Sequence, residues 1–148
     1  MADALRVDFY VLDDASGRAR LGLACKLAEK AYLAAQSVLI WHTQTDEIKA
    51  LDEMLWTFRD GSFVPHETVG AAVTGSDVPV LLSALTPPSA HVDLLINLAA
   101  EVPDFIARAR RVIEIIDGDE ERRRAGRARF KVYRERGIQP ATHNIQGD

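Results

Sequence analysis

The chain has 148 residues, is 47% hydrophobic and 27% charged, and carries a net charge of −4 from 18 Lys/Arg against 22 Asp/Glu. That is one domain's length (1–148), enough to bury a core without disulfides or metal staples, and no apolar run approaches the ~20 residues that span a bilayer. The lone cysteine, Cys25, excludes an intramolecular disulfide or a multi-thiolate zinc site and agrees with a reducing compartment.

At the N-terminus, "MADALRVDFYVL" lacks a basic region followed by a long apolar stretch, so no secretory leader is expected and the cytoplasm is the default compartment. "VDFYVL" (7–12) is β-branched and aromatic, and the turn-like "DDASG" (13–17) ends it, which predicts a strand and a loop. Leu21, Ala24, Cys25, Ala28, Ala31, Tyr32 and Ala35 then recur at i, i+3 and i+4, placing them on one face of a helix from about residue 18 to 36. "SVLIWH" (37–42) is the next strand. Strand, helix, strand at this spacing is a βαβ unit with parallel strands.

Thr45 is placed to cap a second helix, with Asp46 and Glu47 in its first turn and Ile48, Leu51, Met54, Leu55 and Phe58 as its apolar stripe, ending near Arg59. From 60 to 78, "DGSFVPHETVGAAVTGSDV" holds three glycines and a proline without sustained period, and a long irregular segment is expected. "PVLLSAL" (79–85) and "HVDLLINL" (91–98) are nearly continuous apolar runs, as in strands buried on both faces. After a helical turn near Pro103, "RVIEIID" (111–117) supplies another strand. A basic helix of about 119–136 follows, stopped by Gly137 with Pro140 beyond, and then a flexible tail of about 139–148. This alternation predicts an α/β three-layer sandwich around a mostly parallel sheet, Rossmann-like but without a dinucleotide fingerprint.

Little in the chain suggests catalysis. "LDDASGRAR" offers one glycine and two carboxylates where a dinucleotide site needs several glycines, and Asp13 and Asp14 would repel a pyrophosphate. No P-loop occurs. His42, His66, His91 and His143 lack metal-ligand spacing, and each is better read as a satisfied or solvent-facing imidazole. The serines lack the Gly-x-Ser-x-Gly context of an exposed nucleophile. An acid–base role for Asp13 and Asp14 stays open beside the simpler one of loop capping. No cofactor or metal is expected.

The basic helix is the outstanding feature. Residues 121–136, "ERRRAGRARFKVYRER", hold eight Lys/Arg against two Glu, a local +6 that leaves −10 on the remainder. At helical spacing Arg123, Arg127, Phe130 and Arg134 line up with Arg124 and Lys131 flanking, while Ala125, Ala128 and Val132 form an opposite, smaller face suited to packing on the sheet. Between Arg122 and Arg134 no Glu is interleaved, so the surface repels itself unless something anionic offsets it. Three candidates remain: the chain's own carboxylates, single-stranded nucleic acid, or a short acidic peptide with an apolar anchor held by Arg forks.

The sequence resembles the chi subunit family of bacterial DNA polymerase III, accessory proteins of the clamp-loader complex. The resemblance rests on "VDFYVLDD", on "SVLIWHTQTDEIKALDEMLWTFRDGSFVPH" with "LDEMLW" and "SFVPH" at the family's separation, on "DLLINL", and on "RARFKVYRERG", four signatures in the family's order. Residues 67–90 match it only weakly.

The resemblance implies a non-catalytic adaptor that binds the acidic C-terminal peptide of single-stranded DNA-binding protein and pairs with a psi subunit, which tethers it to the clamp loader. It meets DNA only indirectly and has no membrane role. By motif the peptide site comprises Arg123, Arg127, Phe130 and Lys131, with Ile116 as an apolar wall. Phe130 departs from a tyrosine common in the family, losing a hydroxyl and keeping the ring. The psi-facing residues implied are Trp56, Phe63, Val64, Pro65 and His66. Direct binding of single-stranded nucleic acid through the basic helix is the alternative function, and an enzyme at Asp13–Asp14 a third.

Overall fold

The computed structural model describes residues 5–58, 61, 63–69, 79–84 and 91–145. Its elements run β1 (Arg6–Leu12), α1 (Arg18–Leu33), β2 (Val38–His42), α2 (Thr45–Thr57), β3 (His66–Val69), β4 (Val80–Ala84), β5 (Val92–Asn97), a 3-10 turn at Ile106–Arg108, β6 (Ala109–Ile116), α3 (Glu120–Glu135) and β7 (Ala141–Ile145). The strands form one seven-stranded sheet in the order β3-β4-β2-β5-β6-β1-β7, and every pairing is parallel. This is the α/β architecture expected from the alternating elements.

Side chains alternate across each strand, so β6 sends Ile113 and Ile115 to one face and Val112 to the other. The first face is covered by α1 and α2 through Leu21, Ala24, Cys25, Ala28, Ile48, Leu51 and Leu55. The second is covered by α3 and the 3-10 turn through Tyr133, Phe105 and Ile106, with Phe9, Leu39, Trp41 and Leu95 beneath them. Cys25 is buried, and burial pushes its thiol up to about 12, which keeps it a small apolar side chain. Ala35 lies beyond the end of α1 at φ 60, so the predicted stripe stops one turn earlier than its spacing implied.

The irregular segment is corrected at its centre. His66–Val69 forms β3, an edge strand parallel to β4 in register His66↔Val80. Four residues after a proline carry too little alternation to announce a strand, and pairing with β4 supplies what local preference does not. Of the weakly matching stretch 67–90, residues 70–78 and 85–90 lie outside those described.

The flexible tail is corrected likewise. Ala141–Ile145 forms β7, pairing with β1 in register Tyr10↔His143. The ring of His143 stacks on Tyr10 with centroids 4.9 Å apart, and its Nε2 lies 2.9 Å from Asp8 Oδ1. Thr45 is not the cap expected for α2. Gln44 occupies that position without a side-chain bond, and the imidazole of His42 accepts from the amides of Thr43 (2.9 Å) and Gln44 (3.1 Å) at Nδ1.

Candidate functional site

α3 forms because Asp119 Oδ2 accepts from the Arg122 amide at 2.9 Å, Glu120 and Glu121 complement the positive first turn, and Arg134 the negative last turn. Its orientation departs from the sequence expectation. The buried residues are Gly126, Arg129 and Tyr133, whereas Ala128 is exposed and Ala125 and Val132 are half-buried. The sheet beneath explains this choice. Glu114 of β6 is fully buried and draws in Arg129 Nε at 2.8 Å, Tyr133 Oη at 2.6 Å and Asn97 Nδ2 at 2.9 Å. Burial raises the Glu114 carboxyl above its ordinary range, and Arg129 with the two neutral donors opposes that. Gly126 lets the helix approach: a Cβ there would stand 2.3 Å from Ile116 Cδ1.

Part of the basic run is therefore neutralised inside the molecule. Besides the Arg129–Glu114 pair, Arg122 makes a fork with the buried Asp117, Nε to Oδ1 at 2.8 Å and Nη2 to Oδ2 at 2.7 Å. Against the raising effect of burial, those bonds hold Asp117 below the usual carboxylate range. Arg123 donates through Nε to the Asp117 carbonyl at 3.2 Å. Arg124, Arg127, Lys131 and Arg134 are exposed and pair with no carboxylate among the described residues.

Of the residues expected to hold a peptide, Arg127, Phe130 and Lys131 come together around one open hollow, with Arg134 and Glu135. The Phe130 ring is half-buried and packs tilted on Phe9 with centroids 5.1 Å apart, so its position is fixed from below. Arg123 lies one turn before Arg127 on the same flank. Ile116 is not among the residues lining the hollow; it sits half-buried under Gly126 in the same apolar cluster as Phe130.

The second expected surface divides. Trp56 and Phe63 are 55% and 63% exposed, their rings 5.8 Å apart, with the His66 ring tilted against Trp56 at 4.7 Å. The His66 ring is held by the Val64 carbonyl at Nδ1 (2.7 Å) and by Asp52 Oδ1, 3.2 Å from Nε2 but off a hydrogen bond's direction. Pro65 is half-buried. Val64 is 1% exposed and belongs to the core. It cannot touch a partner, and the expectation for that residue is corrected: exposed Phe63 and buried Val64 point opposite ways, as neighbours in extended chain do.

Asp13 and Asp14 are both exposed, and Asp14 caps its own loop. Asp14 Oδ1 accepts from the Ser16 amide at 2.7 Å and hydroxyl at 2.5 Å, a loop cap, and the Asp14 carbonyl accepts from the Gly118 amide at 2.7 Å. No group of three or more His, Cys, Asp or Glu side chains is arranged to hold a metal among the described residues. Sequence reasoning missed the burial of Arg129 and Glu114. The available signal was Glu114 itself, a carboxylate inside the apolar run "RVIEII" that must find a cation.

Residues 5–141 match the family described as DNA polymerase III chi subunit, HolC. The chain is 39% identical over 140 residues to the DNA polymerase III subunit chi of Pseudomonas aeruginosa, covering 95% of this chain and 96% of that one. It is 31% identical to the subunit chi of Haemophilus influenzae (96% and 99% covered) and 28% identical to that of Escherichia coli (88% and 91% covered). Among solved structures, the crystal structure of T4 UvsW aligns with a TM-score of 0.69 at 9% identity over 96% of this chain and 42% of that one. The C-terminal domain of the DEAD-box protein Dbp5 aligns at 0.67 and 10%, covering 96% and 91%. At such identities these two likenesses concern the fold alone.

Proposed function

The chain belongs to the DNA polymerase III chi subunit family, a replication accessory subunit and not an enzyme, and from that premise we propose that α3 captures the acidic C-terminal tail of single-stranded DNA-binding protein. The observation that carries this reading is the set of exposed cations Arg127, Lys131 and Arg134, which find no carboxylate among the described residues and stand around the anchored ring of Phe130. An aspartate-rich tail supplies the missing anions, and its apolar tip packs on Phe130 while its terminal carboxylate meets a cation.

The exposed Trp56–Phe63 pair, backed by His66, is the surface we assign to a psi-type subunit. Large aromatic rings, one on α2 and one on the segment after it, are the composition of an interface hot spot. Through these two surfaces the protein links coated single strands to the clamp loader, in the cytoplasm, and meets DNA only through its coat.

A titration with the acidic tail peptide tests the first surface. Arg127→Glu is expected to weaken binding several-fold or more, and wild-type binding is expected to fall with salt, since exposed charges act within a screening length of ~10 Å at 0.1 M. Unchanged affinity in Arg127→Glu would remove α3 as the site. Tight binding of a bare oligonucleotide at the same salt would replace the adaptor reading by direct strand binding.

A further inference from the structure

Between β2 and β5 the sheet reverses its winding: β2 leads through α2 toward β3 at one edge, while β5 leads to β6 in the other direction. Open α/β sheets bind ligands in the crevice outside the carboxyl ends of such strands. A cleft of about 500 Å³ lies there, bounded by His42 at the end of β2, Leu98 after β5, and the Ala125, Ala128 and Arg129 flank of α3. By helical spacing this is the opposite side of α3 from Arg127, Phe130 and Arg134.

Arg20, from the first turn of α1, lines this cleft and is only 6% exposed. Its Nη2 donates to the Leu98 carbonyl, its Nε is enclosed without a partner, and no described carboxylate forms an ion pair with it. Arg122 and Arg129 oppose its charge, while Asp117, acting more strongly than Arg129, and Glu47 favour it. A buried guanidinium with one hydrogen bond for five donors is a costly arrangement unless an anion completes it.

Two more donors converge on the cleft. His42 is buried, and because its Nδ1 accepts the Thr43 and Gln44 amides, its proton sits on Nε2, which has no partner among the described residues. Burial, and then the Arg20 charge, hold this ring down to about 4, so it is a neutral donor at ordinary pH. Arg124 is exposed and lines the cleft from α3. Donors arriving from three elements suit a tetrahedral anion with several acceptor oxygens better than a planar carboxylate, which is met by a single fork.

We propose that this cleft binds a single phosphate group, free or carried on a small molecule, with Arg20 as the buried cation, His42 as a neutral donor and Arg124 as the clamp at the rim. Glu47, Asp119 and Glu121 also line the cleft. They repel additional charge, so the site takes one phosphate and not a polyphosphate chain. This site does not depend on the peptide reading of α3.

The test titrates the intact protein with inorganic phosphate, adenosine monophosphate and adenosine while following the His42 ring and the Thr43 and Gln44 amides by NMR. Saturable shifts with both phosphate compounds and none with adenosine are expected. Arg20→Met is expected to weaken that binding about tenfold or more, the worth of a charged hydrogen bond, while leaving affinity for the acidic peptide unchanged. Equal affinities for inorganic phosphate and the monophosphate identify a free anion as the ligand, and tighter binding of the monophosphate identifies an organic carrier.

If circular dichroism shows Arg20→Met unfolded, the exposed-site variant Arg124→Gln is read instead and must also weaken binding. The proposal is overturned by an absence of saturable shifts, by adenosine matching its monophosphate, by shifts confined to Arg127 and Lys131, or by unchanged affinity in the variants.

Discussion

Arg129 of α3 and Glu114 of β6 meet at 2.8 Å in the interior, the two side chains 6% and 0% exposed. Their contact decides which way α3 faces, because turning Arg129 inward leaves Arg127 and Lys131 on the outer surface. Removing the cation strands a buried carboxylate, so Arg129→Ala is expected to cost about 3–5 kcal/mol in urea unfolding. A loss below ~1 kcal/mol, the net worth of an ordinary hydrogen bond, would mean that Asn97 and Tyr133 satisfy Glu114 without it.

Gly126 is the second determinant of how α3 sits. Alanine raises helix propensity by about 1 kcal/mol, yet its Cβ would meet Ile116 Cδ1 at 2.3 Å and Cγ1 at 2.7 Å. Overpacking of this kind costs about 1–3 kcal/mol, so Gly126→Ala is expected to lower the melting temperature. Pairing it with Ile116→Val, which deletes the nearer atom, should recover part of that loss. A more stable Gly126→Ala single variant would show that Ile116 moves aside freely.

Much of this was legible in the chain, and the misses share a cause. The stripe of Leu21, Ala24, Cys25 and Ala28 announced α1 because apolar spacing and burial coincide there. Charge misled where it is buried out of sight: Arg20, Arg129, Glu114 and Asp117 are all buried, and periodicity assigns such residues to solvent. Ala128 misled in the opposite sense, a small apolar residue left outside because Glu114 required Arg129. β3 and β7 are edge strands whose existence rests on β4 and β1, and a neighbour distant in sequence leaves no local trace.

The aromatic surface on α2 and the following loop yields a separation of binding from folding. Trp56 and Phe63 are exposed, so Trp56→Ala and Phe63→Ala are expected to change stability by no more than ~0.5 kcal/mol. In a pull-down or titration with a psi-type subunit each should cost about 2 kcal/mol or more, as interface anchors do. Val64→Ala, one residue away but in the core, should instead lose about 1–3 kcal/mol of stability. Full partner affinity in Trp56→Ala would remove this surface from the assignment.

Acid should loosen the β1–β7 edge first. Asp8 is fully buried in β1 and faces Arg111 Nε at 2.7 Å, Arg6 Nε at 3.1 Å and His143 Nε2 at 2.9 Å, with Tyr10 stacked beside His143. Burial alone would raise its pKa, but the hydrogen bonds from His143 and Arg111 and the charges of Arg111 and Arg6 outweigh it and hold the carboxyl below its usual 3.8. A carboxylate lowered in the folded state contributes stability that is complete above its unfolded pKa and is lost as pH falls through the folded one. Wild-type stability should therefore fall below about pH 4, with amide exchange rising first in Ala141–Ile145 because among the described residues β1 alone pairs with that strand. Asp8→Asn should be less stable at neutral pH and show a shallower acid limb. An acid limb as steep in Asp8→Asn as in the wild type would move the transition to Asp117, the other buried aspartate held low by an arginine.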